Sequence, residues 1–266
     1  MKDKVVVITG ASSGIGKALA IECAARHAKL SLGARNLDRL SKVAAQMTGS
    51  GHLLVKTDVT KESDCADLIA KTIEKYGRID VLINNAGISM RSLFEEVDLS
   101  VLHRVMDTNF WGTVYCSKYA LQHLLQTKGS LVGISSVAGY KGLPGRTGYS
   151  ASKFAMQGLL EVIRIENLKK GLHVLIACPG FTTSNIRNVA LSKDGTPQGE
   201  TPLDESGLMP AETVAQRVAD AIIQRKDRIT LTAQGKMTVL LNKFFPKFMD
   251  TVVYNHMAKE PNSPFK

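Results

Sequence analysis

The regular alternation of short apolar runs with longer amphipathic segments, from residue 5 to residue 232, most constrains what this chain can fold into. The apolar runs are rich in valine, isoleucine and leucine, as expected of strands that are buried on both faces. Strands that alternate with helices in this way form a parallel sheet with helices on both sides. The sequence therefore predicts one α/β domain over residues 1–232, built on a doubly wound parallel sheet of about seven strands.

The predicted elements follow one another without a linker or an internal repeat. The strands are predicted at Val5–Thr9, Lys29–Ala34, His52–Lys56, Asp80–Ile83, Ser130–Ser135, Leu172–Cys178 and Arg228–Thr232. The helices are predicted at Lys17–Ala25, Leu37–Met47, Glu62–Tyr76, Asp98–Gln126, Tyr149–Lys169 and Pro210–Arg225.

Composition and cysteine use are those of a soluble globular protein from a reducing compartment. Apolar residues make up 44% and charged residues 22% of the 266 residues. The apolar run at Val5–Ile8 is too short for an export signal, and no apolar stretch approaches the roughly 20 residues of a membrane span. We therefore expect a cytoplasmic protein. The cysteines are scattered without metal-ligand or redox spacing, so no metal is expected: Cys23, Cys65, Cys116 and Cys178.

The net charge of +10 favours anionic partners but does not indicate nucleic acid. The lysines and arginines are spread along the chain, and no short basic run carries the interleaved aromatic residues of a nucleic-acid groove. A polyanionic small molecule, an anionic lipid surface and simple solubility are the three explanations that stay open.

A glycine-rich turn follows the first predicted strand. Gly10, Gly14 and Gly16 precede a helical segment, and a strand, a glycine turn and a helix together place backbone N–H groups against a phosphate. The spacing is Gly-x-x-x-Gly-x-Gly and differs from the Gly-x-Gly-x-x-Gly of the better-known dinucleotide fingerprint. A tight turn without a ligand is the alternative.

The end of the second predicted strand bears on the choice of nucleotide. In a dinucleotide-binding fold, an acidic residue here bonds the ribose hydroxyls of NAD, whereas an arginine suits the 2′-phosphate of NADP. Ala34 is followed by Arg35, and no acid occurs before Asp38. The sequence favours NADP(H); an arginine that merely lies on the surface is the alternative.

Tyr149 and Lys153 form a candidate catalytic pair. Their spacing places both side chains on one face of a helix. An ammonium near a phenol stabilises the phenolate and lowers the tyrosine pKa from its usual value of about 10. Of the six tyrosines, only Tyr149 has a lysine at this offset. Tyr149 is therefore a candidate acid/base near neutral pH, unless a surface helix holds both residues without a role.

Other polar residues lie at strand ends or within an apolar helix. The segment 84–87, with the sequence Asn-Asn-Ala-Gly, either lies under a flat ligand or ties neighbouring strands together. Asn109 needs hydrogen-bond partners for its buried amide, which either bonds to the backbone or anchors a water behind the active site. Ser136 lies just beyond the fifth strand, and Ser135 beside it should point to the other side.

Taken in order, four pieces of sequence resemble the short-chain dehydrogenase/reductase family: Thr9-Gly10-x-x-x-Gly14-x-Gly16, Asn84-Asn85-Ala86-Gly87, Ser136 and Tyr149-x-x-x-Lys153. The resemblance covers residues 4 to about 232. Ser136 lies thirteen residues before Tyr149, a spacing common in the family. Pro179-Gly180 matches the motif after the sixth strand, and Ser184 stands where many members carry threonine. The resemblance implies a Rossmann-type catalytic domain.

The resemblance also implies hydride transfer between NADP(H) and a ketone or secondary alcohol, through a tetrad of Asn109, Ser136, Tyr149 and Lys153. Tyr149 would be the acid in reduction and the base in oxidation. Ser136 would bond the substrate oxygen and stabilise its developing charge. Lys153 would bind the nicotinamide ribose and depress the Tyr149 pKa, and Asn109 would hold a water that links Lys153 to solvent.

Cofactor contacts and assembly are implied in the same way. The resemblance implies a homodimer or homotetramer, associated through two long helices. The residues implied to contact NADP(H) are Gly10, Ser12, Ser13, Gly14, Ile15, Gly16, Arg35, Asp58, Val59, Asn85, Ala86, Gly87, Tyr149, Lys153, Pro179, Gly180 and Phe181.

The substrate pocket is expected at a long irregular segment, residues 181–209. A connection of this length in a compact domain is usually a lid or binding loop. We expect it to form the pocket together with the segments 138–144 and 90–91. The sequence identifies neither the substrate nor the direction of the reaction.

Residues 233–266 are predicted to form an amphipathic extension of the domain. Pro246 should divide it into two short helices. These helices pack on the substrate entrance or on a neighbouring subunit, or they lie on an anionic membrane as a peripheral contact. Some family members that act on steroids and other lipids have membrane-associated C-terminal segments, which favours an apolar, lipid-like substrate. One apolar row is Leu240, Phe244, Phe248 and Val252, the next is Leu241, Phe245, Met249, Val253 and Met257, and Lys236, Lys243 and Lys247 lie outside both.

Two other functions fit the same fold. One is a nucleotide-sensing protein that has lost its chemistry, which degenerate tetrad residues would favour; all four residues are present. The other is a membrane-surface scaffold that acts through the C-terminal extension.

Overall fold

The protein folds around one parallel sheet. The computed structural model describes residues 1–183, 186–199, 207–260 and 263–265. Within these ranges the sheet has seven strands in the order β3-β2-β1-β4-β5-β6-β7, and all neighbours are parallel. The predicted doubly wound, Rossmann-type fold is therefore confirmed. The strands are β1 Val5–Thr9, β2 Lys29–Ala34, β3 Leu53–Lys56, β4 Val81–Asn84, β5 Ser130–Ile134, β6 His173–Cys178 and β7 Arg228–Thr230.

Helices cover both faces of the sheet, and this explains why the sequence of a central strand such as β1 is continuously apolar. Val6 and Ile8 belong to the core on one face, whereas Val7 between them belongs to the core on the other. A central strand therefore has no solvent-facing side on which polar residues would be tolerated. The first face carries α1 Gly14–Ala25, α2 Leu37–Ala44 and α7 Ala211–Ile223; the second carries α3 Glu62–Tyr76, α5 Gly112–Gln126 and α6 Thr147–Glu166.

The long helix predicted at Asp98–Gln126 changes its winding in the middle. α4 (Leu99–Met106) runs into a π-helical turn, Asp107–Trp111, which continues as α5. The π turn contains Asn109, whose side chain bonds to the backbone of Ile88. Single π turns inside α-helices are rare and are frequently found at functional sites.

Most other predicted boundaries differ from the structure by a few residues. The third strand begins at Leu53, one residue later than predicted, and α2 ends at Ala44, before the predicted Met47. α6 begins at Thr147, before the predicted Tyr149, so Tyr149 lies in its first turn. Helix ends fray, and periodicity defines them poorly.

The C-terminal extension forms two helices, as predicted: α8 Ala233–Phe244 and α9 Pro246–Ala258. Pro246 occupies the first position of α9, which its fixed φ and missing N–H group suit. Phe245 was expected to share a face with Met249, but it links the two helices and is 59% exposed. Among the described residues, no helix is both long enough and apolar enough to cross a membrane.

A buried carboxylate holds the amino-terminal edge of the sheet together. Asp80 is 3% exposed and accepts a hydrogen bond from the backbone N–H of Val5 at 3.0 Å. Arg78 and Lys4 donate to the same carboxylate at 2.6 and 3.0 Å. Burial raises the pKa of Asp80, but these hydrogen bonds and charges lower it by more, so it lies below its ordinary value.

We expect Asp80→Asn to lower the free energy of unfolding by about 1–3 kcal/mol at pH 7, because a buried N–H group and two cations lose a charged acceptor. The folded pKa is lower than the unfolded one, so the carboxylate contributes fully above the unfolded pKa, and the contribution is lost as the pH falls through the folded pKa. The loss should therefore shrink in acid. Urea unfolding at pH 7 and at successively lower pH measures it.

Asp67→Asn is the matched control for this prediction. Asp67 pairs with Lys71 on the surface of α3, and both side chains are about half exposed. Removal of this pair should change stability by less than about 0.5 kcal/mol. A loss in Asp80→Asn that stays the same down to the acid transition would contradict the role of the charge.

Candidate active site

The turn after β1 leaves a cradle that side chains would fill. Gly10 and Gly14 have φ values of +66° and +52°, in the left-handed region that favours glycine. A Cβ on Gly16 would lie 2.2 Å from the carbonyl oxygen of Gly10. α1 begins at Gly14, and its N-cap residue Ser13 makes no side-chain capping bond, so the N–H groups of its first turn are left for a ligand or solvent. The cradle fits the pyrophosphate of a dinucleotide; Ser12, Ser13, Gly14 and Ile15 around it are at least partly exposed.

The end of β4 is tied to β1 by amide and hydroxyl groups. The Thr9 hydroxyl accepts hydrogen bonds from the backbone N–H groups of Asn85 and Ala86, both at 3.1 Å. The Asn85 side chain donates to the carbonyl oxygens of Thr9 and Gly10, at 2.9 and 3.2 Å. The segment 84–87 was predicted either to lie under a flat ligand or to tie neighbouring strands together, and the structure shows that it ties β4 to β1. A Cβ on Gly87 would lie 3.6 Å from Lys153 Nζ, which places the segment beside the catalytic candidates.

Arg35, Asp58 and Val59 follow β2 and β3, on the side of β1 away from Tyr149. Arg35 is exposed and forms no hydrogen bond or ion pair within the described part of the chain. The Asp58 carboxylate accepts from the backbone N–H and hydroxyl of Thr60, at 3.1 and 2.9 Å. Val59 is buried in the core. Of these three, Arg35 is the side chain that is free to meet a ligand.

Ser136, Tyr149 and Lys153 meet just beyond the end of β5. Lys153 Nζ lies 5.7 Å from the centroid of the Tyr149 ring and donates to the carbonyl oxygen of Ile134 at 2.8 Å. Ser136 begins a short 3₁₀ turn, where its hydroxyl accepts from the N–H of Ala138 at 3.1 Å and also interacts with the Tyr149 phenol. The structure therefore brings together three of the four predicted tetrad residues around one phenol.

Burial dominates the protonation of both titratable groups. It lowers the pKa of Lys153 to about 8. It also raises the pKa of Tyr149 above its ordinary value, although the Ser136 hydroxyl and the Arg146 charge act in the opposite direction. The expected depression of the Tyr149 pKa is not found in the protein chain, because burial outweighs the polar groups around the phenol. The chain by itself holds Tyr149 in its proton-donating form.

Asn109 is fully buried, and its side-chain amide is satisfied by the protein. Its Oδ1 accepts from the N–H of Ile88 at 2.8 Å, and its Nδ2 donates to the carbonyl oxygen of Ile88 and to the Ser152 hydroxyl, both at 2.9 Å. Of the two predicted roles, the structure shows the amide bonded to the backbone. Because a Cβ on Gly87 would lie 3.2 Å from Asn109 Oδ1, the amide sits in the same neighbourhood as Lys153.

Ser135 and Ser136 have different partners. The Ser135 hydroxyl accepts from the side chain of Gln157 at 3.0 Å, within the core. The Pro179 carbonyl oxygen accepts from the N–H of Val137 at 3.4 Å, which joins the end of β6 to the turn after Ser136.

The predicted substrate loop folds over the site where it is described. Leu191 pairs with Met90, and its carbonyl oxygen accepts from the N–H of Arg91 at 2.8 Å. Met90 and Leu191 belong to a buried apolar cluster against which Tyr149 packs. Ser184 and residues 200–206 lie outside the described residues. Beside this loop is a cavity of about 440 Å³, lined by Phe181, residues 207–210, Thr213 and residues 231–234.

A cluster of three charged residues includes two, Arg146 and Glu260, that were not predicted, whereas Arg91 belongs to the expected pocket segment 90–91. Arg91 and Arg146 both pair with Glu260 from the end of the chain. The sequence held one hint, since Arg146 precedes Tyr149 by three residues and a helix brings such positions together. Nothing in the local sequence of Glu260 indicated a partner so far away.

Comparison with known proteins agrees with this geometry. Residues 4–194 match the family described as short chain dehydrogenase. The chain belongs to the short-chain dehydrogenase family. It is therefore a member of a family of oxidoreductases, and the resemblance carried by the four pieces of sequence is confirmed at the level of the family.

Similar proteins support the fold and the class of ligand. A protein of Arachis hypogaea named 11-beta-hydroxysteroid dehydrogenase A is 42% identical over 98% of this chain and 77% of its own length. A short-chain dehydrogenase/reductase of Burkholderia phymatum, solved in complex with NAD, has a TM-score of 0.82 at 25% identity, over 93% of this chain and 95% of that one. An alcohol dehydrogenase of Thermococcus sibiricus, complexed with 5-hydroxy-NADP, has a TM-score of 0.74 at 27% identity, over 86% and 96%.

Proposed function

We propose that this short-chain dehydrogenase transfers hydride between NADP(H) and a ketone or secondary alcohol, with Tyr149 as the general acid/base. The observation that carries the proposal is the meeting of Ser136, Tyr149 and Lys153 at the carboxyl end of β5. A catalytic phenol needs a partner for the substrate oxygen and a nearby cation, and these two neighbours supply both. No observation favours the alternative of a nucleotide-binding protein without chemistry.

Each residue of the tetrad has a distinct proposed role. Tyr149 donates its phenolic proton to the carbonyl oxygen in reduction, and Ser136 donates a hydrogen bond that stabilises negative charge developing on that oxygen. Lys153 places its ammonium group near the phenol. Asn109 fixes the backbone at Ile88, which packs on the same apolar cluster as Tyr149. In alcohol oxidation Tyr149 accepts the proton, which requires its pKa to fall. A fall from the ordinary value of about 10 to about 7 alone corresponds to roughly 4 kcal/mol of preferential phenolate stabilisation, and the effect of burial adds to this requirement.

The proposed nucleotide site uses the glycine cradle at the start of α1. Its N–H groups would hold the pyrophosphate, and Arg35 would meet the 2′-phosphate of NADP. Asp58 and Val59 would border the adenine, and Asn85 to Gly87 and Pro179 to Phe181 the nicotinamide half. The nicotinamide ring supplies the hydride chemistry when it is bound. Lys153 would bind the adjoining ribose.

We infer an apolar substrate from the surroundings of Tyr149. The tyrosine packs on a cluster that contains Met90, Val101, Val105 and Leu191, all buried. The relative from Arachis hypogaea bears the name of a hydroxysteroid dehydrogenase, which is consistent with a bulky apolar alcohol. A panel of ketones, hydroxysteroids and 3-oxoacyl thioesters, followed by NADPH oxidation, would identify the class.

We expect Tyr149→Phe to lower kcat by at least about 10²–10⁴, because the variant keeps the ring and loses only the proton donor. The affinity for NADPH, measured by fluorescence titration, should change by less than about threefold. Tyr115→Phe is the control, since Tyr115 lies on α5, where its ring stacks on Trp111. Full turnover in Tyr149→Phe would remove the proposed mechanism.

The preference for NADP(H) has a separate test. We expect Arg35→Ala to weaken NADPH binding by about tenfold or more, because a charge-assisted contact to a phosphate is lost, and to leave NADH binding nearly unchanged. Arg39→Ala, another exposed arginine nearby, is the control. If the ratio of the two dissociation constants stays the same in Arg35→Ala, another residue sets the preference.

We also propose that the protein is cytoplasmic and contacts anionic membrane through α8 and α9. Leu240, Phe244 and Phe248 are each more than half exposed on these helices. Lys243 and Lys247 are exposed among them, which is complementary to an anionic lipid surface. The other apolar face is already occupied, because Met249, Val253 and Met257 are buried against the protein.

The double variant Phe244→Ser/Phe248→Ser should bind vesicles that contain phosphatidylserine at least about tenfold more weakly than the parent, because it loses two large apolar side chains. Flotation with these vesicles measures the effect. Ile223→Ser, at an exposed position at the end of α7, is the control. Absence of binding by the parent, together with a concentration-dependent rise in mass that the double variant lacks, would assign the face to a neighbouring subunit instead.

Assembly into a homodimer or homotetramer through the long helices is a further part of the proposal. α6 exposes the large apolar side chains of Phe154, Val162 and Ile165, and α5 exposes Tyr119. Large apolar residues on a charged protein surface are typical of a contact between subunits.

A further inference from the structure

The C-terminal extension packs on the segment between the two residues proposed to bind the substrate oxygen. Its buried face, formed by Met249, Val253 and Met257, contacts Leu143. Leu143 lies in the loop that joins Ser136 to Tyr149. The extension also reaches Gly145, because Pro264 lies 3.5 Å from the position of a Cβ on that glycine. One side of the active-site loop is thus covered by residues from the end of the chain.

Polar groups of the extension bond to both ends of this loop. The Asn242 side chain donates to the carbonyl oxygen of Tyr140 at 2.9 Å. The Lys141 ammonium donates to the Asp250 carboxylate. At the other end of the loop, Arg146 donates to Glu260 at 3.4 Å. The loop has its own anchor points on the rest of the fold, but these three come from beyond β7.

The contact at Glu260 is the most deeply buried of the three. The side chain of Glu260 is 4% exposed, Arg91 is 6% exposed and Arg146 is 12% exposed. Glu260 Oε2 lies 3.2 Å from Arg91 Nη2 and 3.4 Å from Arg146 Nη2. Removal of one member of a buried ion pair leaves an uncompensated buried charge, so a change at Glu260 should cost more than the same change in an exposed pair. The Asp250 side chain, by contrast, is 70% exposed.

Arg91 and Arg146 belong to the two segments that bracket the start of α6. Arg146 is the N-cap residue of that helix, and Tyr149 lies in its first turn. Arg91 follows Met90, whose sulfur accepts a hydrogen bond from the N–H of Gly148 at 3.2 Å. The Glu260 carboxylate therefore connects Arg146, at the start of α6, to Arg91, in the segment that packs beside that start.

We propose that Glu260 is a positioning residue of the active site, which holds Arg91 and Arg146 together and so fixes the first turn of α6 and the phenol that it carries. The inference rests on the proposed role of Tyr149. The C-terminal extension is then a working part of the catalytic domain, and Glu260 acts through the two arginines without touching the substrate.

The charge of this cluster also reaches the phenol. The groups that act on Tyr149 are Ser136 and Cys178 from the sheet edge, Arg146 from its own helix start, and Lys153 one turn along the helix. Arg146 lowers the pKa of Tyr149, and Glu260 is the carboxylate that faces this arginine. Loss of the negative charge leaves the Arg146 cation less compensated, which favours the phenolate.

The test compares Glu260→Gln with Glu260→Asp in the full chain. We expect Glu260→Gln to lower kcat for NADPH-dependent reduction by about tenfold or more, with the dissociation constant of NADPH unchanged within about twofold. The pH above which reduction is lost should also fall, since the phenol loses its proton more easily. Glu260→Asp, which restores the charge, should recover part of both effects. Glu161→Gln removes an exposed pair with Arg164 on the same helix and should change neither.

A measurement without turnover separates this inference from the proposed function. Amide hydrogen exchange over residues 140–148 should be at least about fivefold faster in Glu260→Gln than in the parent. If Glu260→Gln does not fold, Glu260→Asp replaces it, because it keeps the charge but shortens the reach to Arg91 and Arg146, and it should show a smaller rise in exchange and a smaller fall in kcat. Exchange and kcat equal to those of the parent in the folded variant would overturn the inference. Faster exchange together with full turnover in Tyr149→Phe would support the positioning role and reject the proposed chemistry.

Discussion

The rest of the site depends on the close contact between the backbone turn after β1 and the segment that follows β4. Gly16 lies so close to Gly10 that no side chain fits between them, and the Asn85 amide bonds to the carbonyl oxygens on the β1 side of the same contact. β1 and β4 are neighbours where the strand order reverses, and ligands of such sheets bind in the crevice at this point. One set of backbone contacts therefore positions the glycine cradle and the segment 84–87, which lies between the cradle and Lys153.

Burial affects the protonation of both catalytic candidates, and it moves their two pKa values in opposite directions. It favours the neutral form of both Tyr149 and Lys153, since each loses water around its charged state. A neutral phenol is the form that would protonate a carbonyl oxygen in the proposed reduction. The polar groups nearest the phenol, Ser136 and Arg146, work against burial and limit the shift. The pKa of the phenol therefore depends on the balance between burial and a few nearby polar and charged groups.

The sequence predicted well whatever depends on local pattern or on backbone geometry. The apolar run of β1 and the glycines after it were readable because burial and close approach each exclude most residue types. The π turn at Asn109 could not be predicted, because the partner of the Asn109 side chain is Ile88, which is remote in sequence. The pKa of Tyr149 was also misjudged, because the spacing to Lys153 reveals the neighbour but not the depth of burial.

The C-terminal extension shows most clearly that contacts between distant parts of the chain cannot be predicted from local sequence. Periodicity and Pro246 were sufficient to predict two amphipathic helices, but they did not show which apolar row would meet the protein. That choice is made by Leu143 and by the ion pairs of Glu260 with Arg91 and Arg146, all between distant parts of the chain. Because these contacts end on the loop between Ser136 and Tyr149, the extension cannot be separated physically from the catalytic machinery. An element that covers a loop of the proposed active site also limits how much of that loop a substrate can reach, so the proposal for substrate selectivity extends to the residues of α9 and beyond.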